Sequence, residues 1–245
     1  MYQNCKLGIV VPAYNEALLI GDTLRNMPNF ADRVYVIDDA STDRTVQITK
    51  GFVNGQICLI SHDENRGVGA AIVTGYRQSL EDGMDIVAVM AGDDQMDPGQ
   101  LPSLLEAIIT GKADYAKGNR LSRLEHRKGM SNWRFFGNWV LTFLNKIASG
   151  YWKIEDPQNG YTAITRDALD RINLDDVYPR FGYCNDLLIK LNVAECRVTD
   201  VSIPARYGAE KSKVRYGPFM STVGPLLFRG LLWRLKTKYV GKMKD

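Results

Sequence analysis

The stretch DIVAVMAGDDQMDP, Asp85 to Pro98, places three carboxylates (Asp93, Asp94 and Asp97) within five positions, with Gln95 between them. An apolar run, Ile86–Met90, delivers the chain into this cluster. Like charges so close repel one another unless a cation sits among them. Hard divalent cations take oxygen ligands and often keep substrate phosphates in their shell, which is one chemistry the cluster could serve. A solvated turn is the other reading, because Asp and Gly are ordinary turn residues. The company the cluster keeps decides between them.

Apolar runs alternate with helical patterns through the first half of the chain. Strands are expected at Leu7–Val11, Val34–Ile37, Ile57–Ile60 and Ile86–Met90, and helices at Ala17–Asn26, Arg44–Phe52, Gly69–Glu81 and Leu101–Thr110. Such alternation predicts a parallel sheet with right-handed crossovers, and ligands then bind beyond the carboxyl ends of its strands. Each strand leads into a polar cluster at that end: PAYNE, DDASTD, SHDENRG and AGDDQMDP. Four such clusters along one sheet edge make a site, where one alone would be a turn. Further on, Asp114–Lys117 reads as a short strand leading to GNR, and Trp133–Ala148 as an aromatic-rich helix. EDPQNGYTAITRDAL reads as loop, strand and helix, Asn185–Val193 as a helix and Val198–Ile203 as a closing strand. No repeat, low-complexity segment or linker interrupts the pattern. It predicts one domain over residues 1–215 with a basic, partly apolar extension over 216–245.

The chain has 245 residues, 45% hydrophobic and 24% charged, an ordinary globular composition. A net charge of +3 is too small to imply a nucleic-acid partner. From Ala205 onward, however, bases outnumber acids ten to two, which suits a phosphate or a membrane surface. Four cysteines without CxxC spacing point to a reducing compartment, and two isolated histidines argue against zinc. There is no signal-peptide pattern and no uncharged stretch of the ~18 residues that would span a bilayer. NRGVGAA lacks the full GxGxxG fingerprint, Pro12 removes a backbone donor where a dinucleotide fold needs amides, and no P-loop occurs.

Six segments in order, IVVPAYNE, VIDDASTDRT, NRGVGAAIVTGY, GDDQMDP, DPQNGYTAITRDAL and IPARYGAEKSK, together resemble the inverting glycosyltransferase family 2. Within it they look most like the dolichyl- or polyprenyl-phosphate sugar transferases, and the resemblance covers most of the chain. It implies a Rossmann-like nucleotide-diphospho-sugar transferase (GT-A type) α/β fold, mostly parallel. It also implies a nucleotide-sugar donor, Mg²⁺ or Mn²⁺, and a polyprenyl phosphate acceptor met at the cytoplasmic membrane face by a peripheral enzyme.

Residue by residue, Pro12, Tyr14 and Glu16 match the first nucleotide loop, although Asn15 and Glu16 would also suit a helix start. Asp39 matches the aspartate that accepts from the nucleobase, with Asp38, Ser41 and Asp43 buttressing the turn; Arg66 and Gly67 would line the pocket. Ala91 stands where these transferases carry a first aspartate, while Asp93 and Gln95 match the metal-binding pair and Asp94 could replace part of the missing carboxylate. Arg120 could reach the diphosphate or acceptor, or form a surface ion pair. Arg134 and Asn138, four apart on one helical face, sit near the positions where related enzymes bind the acceptor phosphate. The aromatics of that helix, Trp133, Phe135, Phe136, Trp139 and Phe143, read as core rather than lipid contact. Arg206, Lys211 and Lys213 resemble the basic loop that closes on the diphosphate. A phosphate acceptor needs no general base; a hydroxyl acceptor would, with Asp156 or Asp186 as candidates. Asp186 could instead cap a helix. Tyr216–Val240 interleaves apolar residues with bases, as a surface-lying membrane helix does, or packs on its own domain. Transfer to a hydroxyl acceptor, or nucleotide binding without turnover, are the other functions left open.

Overall fold

The computed structural model describes residues 1–122, 132–204 and 216–240, with backbone alone at 132–136, 138, 216–221 and 240. Strands β1 (Leu7–Ala13), β2 (Arg33–Asp38), β3 (Ile57–Ser61) and β4 (Ile86–Val89) are linked by helices α1 (Ile20–Arg25), α2 (Thr45–Lys50) and α3 (Val68–Glu81). Then follow α4 (Leu101–Ile109), β5 (Tyr115–Asn119), α5 (Asn132–Ser149), β6 (Thr162–Thr165), α6 (Arg166–Asp170), α7 (Tyr183–Val193), β7 (Val198–Ser202) and α8 (Tyr216–Leu235). A π-helical turn, Lys236–Val240, extends α8. The sheet runs β3-β2-β1-β4-β6-β5-β7. β6 is antiparallel to both its neighbours and the other pairings are parallel. β5 therefore points the same way as β4, and both deliver their loops to one edge.

The sheet is covered on both faces, which is why its central strands are apolar at every position rather than alternating. All of β1 is buried. Leu7, Ile9 and Val11 pack with Leu24 and Leu104 on one side, while Val10 packs with Tyr35, Ile72 and Tyr76 on the other. Burying one such side chain is worth about 1.5–3 kcal/mol. Gly75 lets α3 lie this close: a Cβ there would come 2.4 Å from Val10 Cγ1.

Two helix starts differ from expectation. α1 begins at Ile20 rather than Ala17, because the preceding amides donate to the loop after β2: Asn15 N to Ser41 Oγ (2.9 Å), Glu16 N to Thr45 Oγ1 (2.8 Å) and Ala17 N to Asp43 Oδ2 (3.1 Å). Asn15 is left-handed and its amide oxygen accepts from Thr42 N, so it latches two loops instead of capping a helix. α7 begins at Tyr183 after Gly182, two residues early, which puts Asp186 inside the first turn and not at the cap.

α8 lies against α5 and α7, burying Val223 and Leu227 with Leu141, Ala148 and Ile189. Arg234 Nε donates to Ala148 O (2.8 Å) and Nη2 to Ile147 O (3.1 Å), satisfying carbonyls at the end of α5. Away from that contact Phe228 and Leu232 are 62% and 51% exposed, beside exposed Arg229 and Lys236. Among the described residues no helix is long and apolar enough to cross a membrane.

Candidate active site

The loops after β1 to β4 meet at the carboxyl edge. Pro12 lies near the end of β1, in register with Ile37 of β2 and two residues beyond the last β1–β4 register pair, Val10 with Val89. Its carbonyl accepts from Gly92 N (3.2 Å), tying the first loop to the acidic one. Tyr14 is 40% exposed and Glu16 is half-buried.

Asp39 is buried at the end of β2. Its Oδ1 accepts from Arg66 N (2.9 Å) and contacts His62 Nδ1 (2.8 Å), and its Oδ2 accepts from Gly67 N (2.7 Å). The second and third loops are thus clasped through one carboxylate. Gly67, at φ 98°, has no room for a side chain: a Cβ would come 2.6 Å from Pro179 O, so the close approach it permits includes the chain's own loop. The Arg66 side chain is exposed. Asp38 is buried behind the turn; its Oδ2 accepts from Ser41 N (3.3 Å), and its Oδ1 has no partner among the described residues.

In the acidic loop, Asp97 is a turn cap, accepting from Gly99 N (2.9 Å) ahead of a short 3₁₀ turn. Asp93 accepts from Gln95 N (3.1 Å), and Asp94, left-handed at φ 55°, donates its amide to Thr23 Oγ1 (3.1 Å). Asp93, Asp94 and Gln95 are half-buried at the sheet edge. Among the described residues no three His, Cys, Asp or Glu side chains form a metal cage. One carboxylate and one amide carbonyl are still hard oxygen donors of the kind Mg²⁺ or Mn²⁺ accepts alongside phosphate oxygens and water. The donor set fits a cation that the substrate helps to hold.

The loop before β6 faces this edge, and Tyr161 joins it to the acidic loop by donating its hydroxyl to Asp97 O (2.9 Å). Asp156, almost fully buried, receives Arg120 through three bonds: N (3.2 Å) and Nε (2.8 Å) to Oδ2, and Nη2 (3.1 Å) to Oδ1. The rest of the loop is equally fixed. Gln158 Nε2 donates to Asn185 Oδ1, Asn159 Nδ2 to Gly118 O, and fully buried Lys117 donates to Asn159 O. Asp200 Oδ2 accepts from Glu155 N (2.7 Å) and Asn119 Nδ2 (3.0 Å), whereas its Oδ1 is buried without a partner among the described residues. Burial pushes the Asp200 carboxyl up to about 6. Asp186 also lies in a closed network, accepting from Lys190 Nζ at both oxygens (2.8 and 2.7 Å) and from Tyr178 N (2.8 Å).

Arg134 and Asn138 sit on the first turns of α5, with side chains outside the described residues, and Arg206, Lys211 and Lys213 lie outside them entirely. The aromatic helix corrects one expectation. Trp139 and Phe143 are 59% and 48% exposed and stack on each other, centroids 6.2 Å apart, so these two rings are not core. Sequence reasoning missed Lys117, Asn119, Glu155 and Asp200; a lysine inside the buried strand YAKGN was the available signal.

The pattern of glycosyl transferase family 2 matches residues 8–172. An undecaprenyl-phosphate mannosyltransferase of Micrococcus luteus is 31% identical over 202 residues, 79% of this chain and 81% of its own. A UDP-N-acetylglucosamine–dolichyl-phosphate N-acetylglucosaminyltransferase of Methanococcus voltae is 28% identical, over 79% of this chain and 84% of its own. In fold, glucosyl-3-phosphoglycerate synthase of Mycobacterium tuberculosis with bound UDP superposes at a TM-score of 0.70 and 19% identity, over 93% of this chain and 80% of that one. The same enzyme with Mn²⁺, UDP-glucose and phosphoglyceric acid gives 0.68. The seven-stranded, mostly parallel architecture is the GT-A fold, and the chain belongs to glycosyl transferase family 2.

Proposed function

We propose that this protein transfers a sugar from a nucleotide sugar to a polyprenyl phosphate, in one displacement with inversion, with Mg²⁺ or Mn²⁺. The observation that carries the acceptor assignment is the state of the two carboxylates that could serve as a base. Asp156 is tied at both oxygens to Arg120, and Asp186 at both oxygens to Lys190. A carboxylate engaged this way is suited to holding a cation in place, and an already anionic phosphate needs no proton removed.

The donor base and ribose would lie between the loops of Tyr14 and Asp39, lined by Arg66 and Gly67. Asp93 and Gln95 would hold a divalent cation that neutralises the departing diphosphate, with Asp94 flanking it and Arg206, Lys211 and Lys213 closing over it. Arg120, oriented by Asp156, would face the acceptor phosphate with Arg134 and Asn138. A phosphate oxygen of the acceptor attacks the anomeric carbon. The bond from that carbon to the diphosphate breaks, and its electron pair leaves with the nucleoside diphosphate. Positioning and charge complementarity carry the rate. The exposed rings on α5 and α8, beside Arg229 and Lys236, suit a peripheral seat on the cytoplasmic face of an anionic membrane, where the lipid acceptor is found.

The test offers labelled nucleotide sugars with Mn²⁺ to vesicles carrying either a polyprenyl phosphate or the corresponding polyprenol. Label passing only to the phosphate lipid is expected. Transfer to the alcohol would establish the hydroxyl-acceptor reading, and nucleotide binding without transfer to either lipid a binding protein.

A further inference from the structure

Asp39 is crowded. A carboxylate offers about four lone-pair positions, and three of those on Asp39 are filled by Arg66 N, Gly67 N and His62. Both filled positions on Oδ1 and one on Oδ2 lie inside the fold, which among the described residues leaves one acceptor position, on Oδ2. His62 is itself buried and engaged at both ring nitrogens: Nδ1 on Asp39 Oδ1 (2.8 Å) and Nε2 on Thr74 Oγ1 (2.9 Å), a residue of α3. Because a carboxylate oxygen accepts, Nδ1 must carry the proton. In the neutral ring Nε2 then accepts from the Thr74 hydroxyl. The backbone holds His62 as well, its N donating to Asp38 O (2.8 Å).

We infer that His62 is the positioning residue for nucleobase selection: its Nδ1–H fixes Asp39 so that a single Oδ2 acceptor position faces the donor pocket. The inference rests on the nucleotide-sugar reading above. A base with a ring N–H, such as uracil or guanine, satisfies that position. Cytosine and adenine bring a bare ring nitrogen to it, lone pair against lone pair. Without the Nδ1 donor, Oδ1 would have one partner fewer and the carboxylate could rotate, so the preference among bases would relax together with affinity.

The test measures dissociation constants of UDP, GDP, CDP and ADP with Mn²⁺, and Tm, for the full chain and its variants. Asn places its amide nitrogen near the position of Nδ1 and Gln near that of Nε2, which separates the two contacts. His62→Asn is expected to keep the wild-type base preference, with affinity within about threefold. His62→Gln and His62→Leu are expected to lose about tenfold in affinity for the preferred nucleotide, the order lost with one charge-assisted bond, and most of the preference. Asp39→Ala serves as the reference for complete loss. If Asp39→Ala abolishes the preference while both His62→Gln and His62→Leu keep it, the role of His62 is overturned and the nucleotide reading stands. Equal weakening in Asn, Gln and Leu variants, following Tm, would reduce His62 to a structural residue. If no nucleotide binds the wild-type protein, the donor reading fails and takes this inference with it.

Discussion

Replacing Asp156 by Asn separates the two acceptor chemistries. The side chain keeps its size and one carbonyl oxygen, so it can still accept from Arg120 at one position. The new amide nitrogen, however, falls on a partner of the old carboxylate: either Nη2 at 3.1 Å, or N at 3.2 Å and Nε at 2.8 Å, and in each case donor meets donor. Hydrogen bonds to charged groups are worth about 1.5–3 kcal/mol each. Losing one and loosening the guanidinium should raise the acceptor KM by about 10- to 100-fold. Breaking a buried ion pair from one side costs about 3–5 kcal/mol. Arg120 keeps access to water, so the lower end applies, and Tm should fall by about 6–12 °C. The assay is initial rate against acceptor concentration at saturating donor, at a temperature well below the variant's Tm. A raised KM with kcat nearly intact is expected. A kcat lower by about 10²–10⁴-fold at unchanged KM, the mark of a lost general base, would refute the phosphate-acceptor reasoning.

Asp93→Asn should abolish metal-dependent transfer with little change in Tm, since the carboxylate is half-buried in a loop; near-full activity at saturating Mn²⁺ would remove it from the metal site. For Asp200, the folded carboxyl titrates near 6 against an ordinary 3.8, so between those values the folded state holds a proton that the unfolded chain lacks. Stability from this group therefore falls as pH rises through that window. Asp200→Asn should raise Tm at pH 7.5 and by less at pH 4.5, as followed by thermal melts; identical shifts at the two pH values would contradict the assignment. Phe228→Ser combined with Leu232→Ser should weaken sedimentation with anionic liposomes while leaving nucleotide binding intact. Salt should reverse part of the attachment, at about 1 kcal/mol for each basic residue near the surface, and unchanged sedimentation would argue against the membrane seat.

Much of the scaffold was legible because burial on both faces writes itself as unbroken apolar runs, and β1 to β4 fall where those runs do. The parallel pairing of β1 to β4 was legible too, from the helices alternating with them, whereas the antiparallel β6 between β4 and β5 emerges only from pairing. Helix starts misled where polar residues serve a neighbouring loop. Asn15 and Glu16 resemble a cap in sequence but are engaged by residues 41–45, far along the chain. The acidic cluster divided: Asp97 is a turn cap, while Asp93 and Asp94 stay at the sheet edge. Lys117 escaped notice because lysine in a strand ordinarily faces water, and only tertiary structure brings a loop carbonyl over it. Trp139 and Phe143 were misread for the converse reason: a helix records its apolar residues in sequence, but not which of them another element will cover.

The bond made in the reaction can be seen directly. Lipid product from a transfer reaction, extracted into organic solvent and studied by proton and phosphorus NMR, reports both the atom joined to the anomeric carbon and its configuration. From an α-linked nucleotide sugar, a β-linked sugar phosphodiester of the polyprenyl lipid is expected, with the anomeric proton coupled to phosphorus. An anomeric centre bonded to an alcohol oxygen without phosphorus coupling, or an α-linked phosphodiester, would contradict direct inverting transfer to a phosphate acceptor.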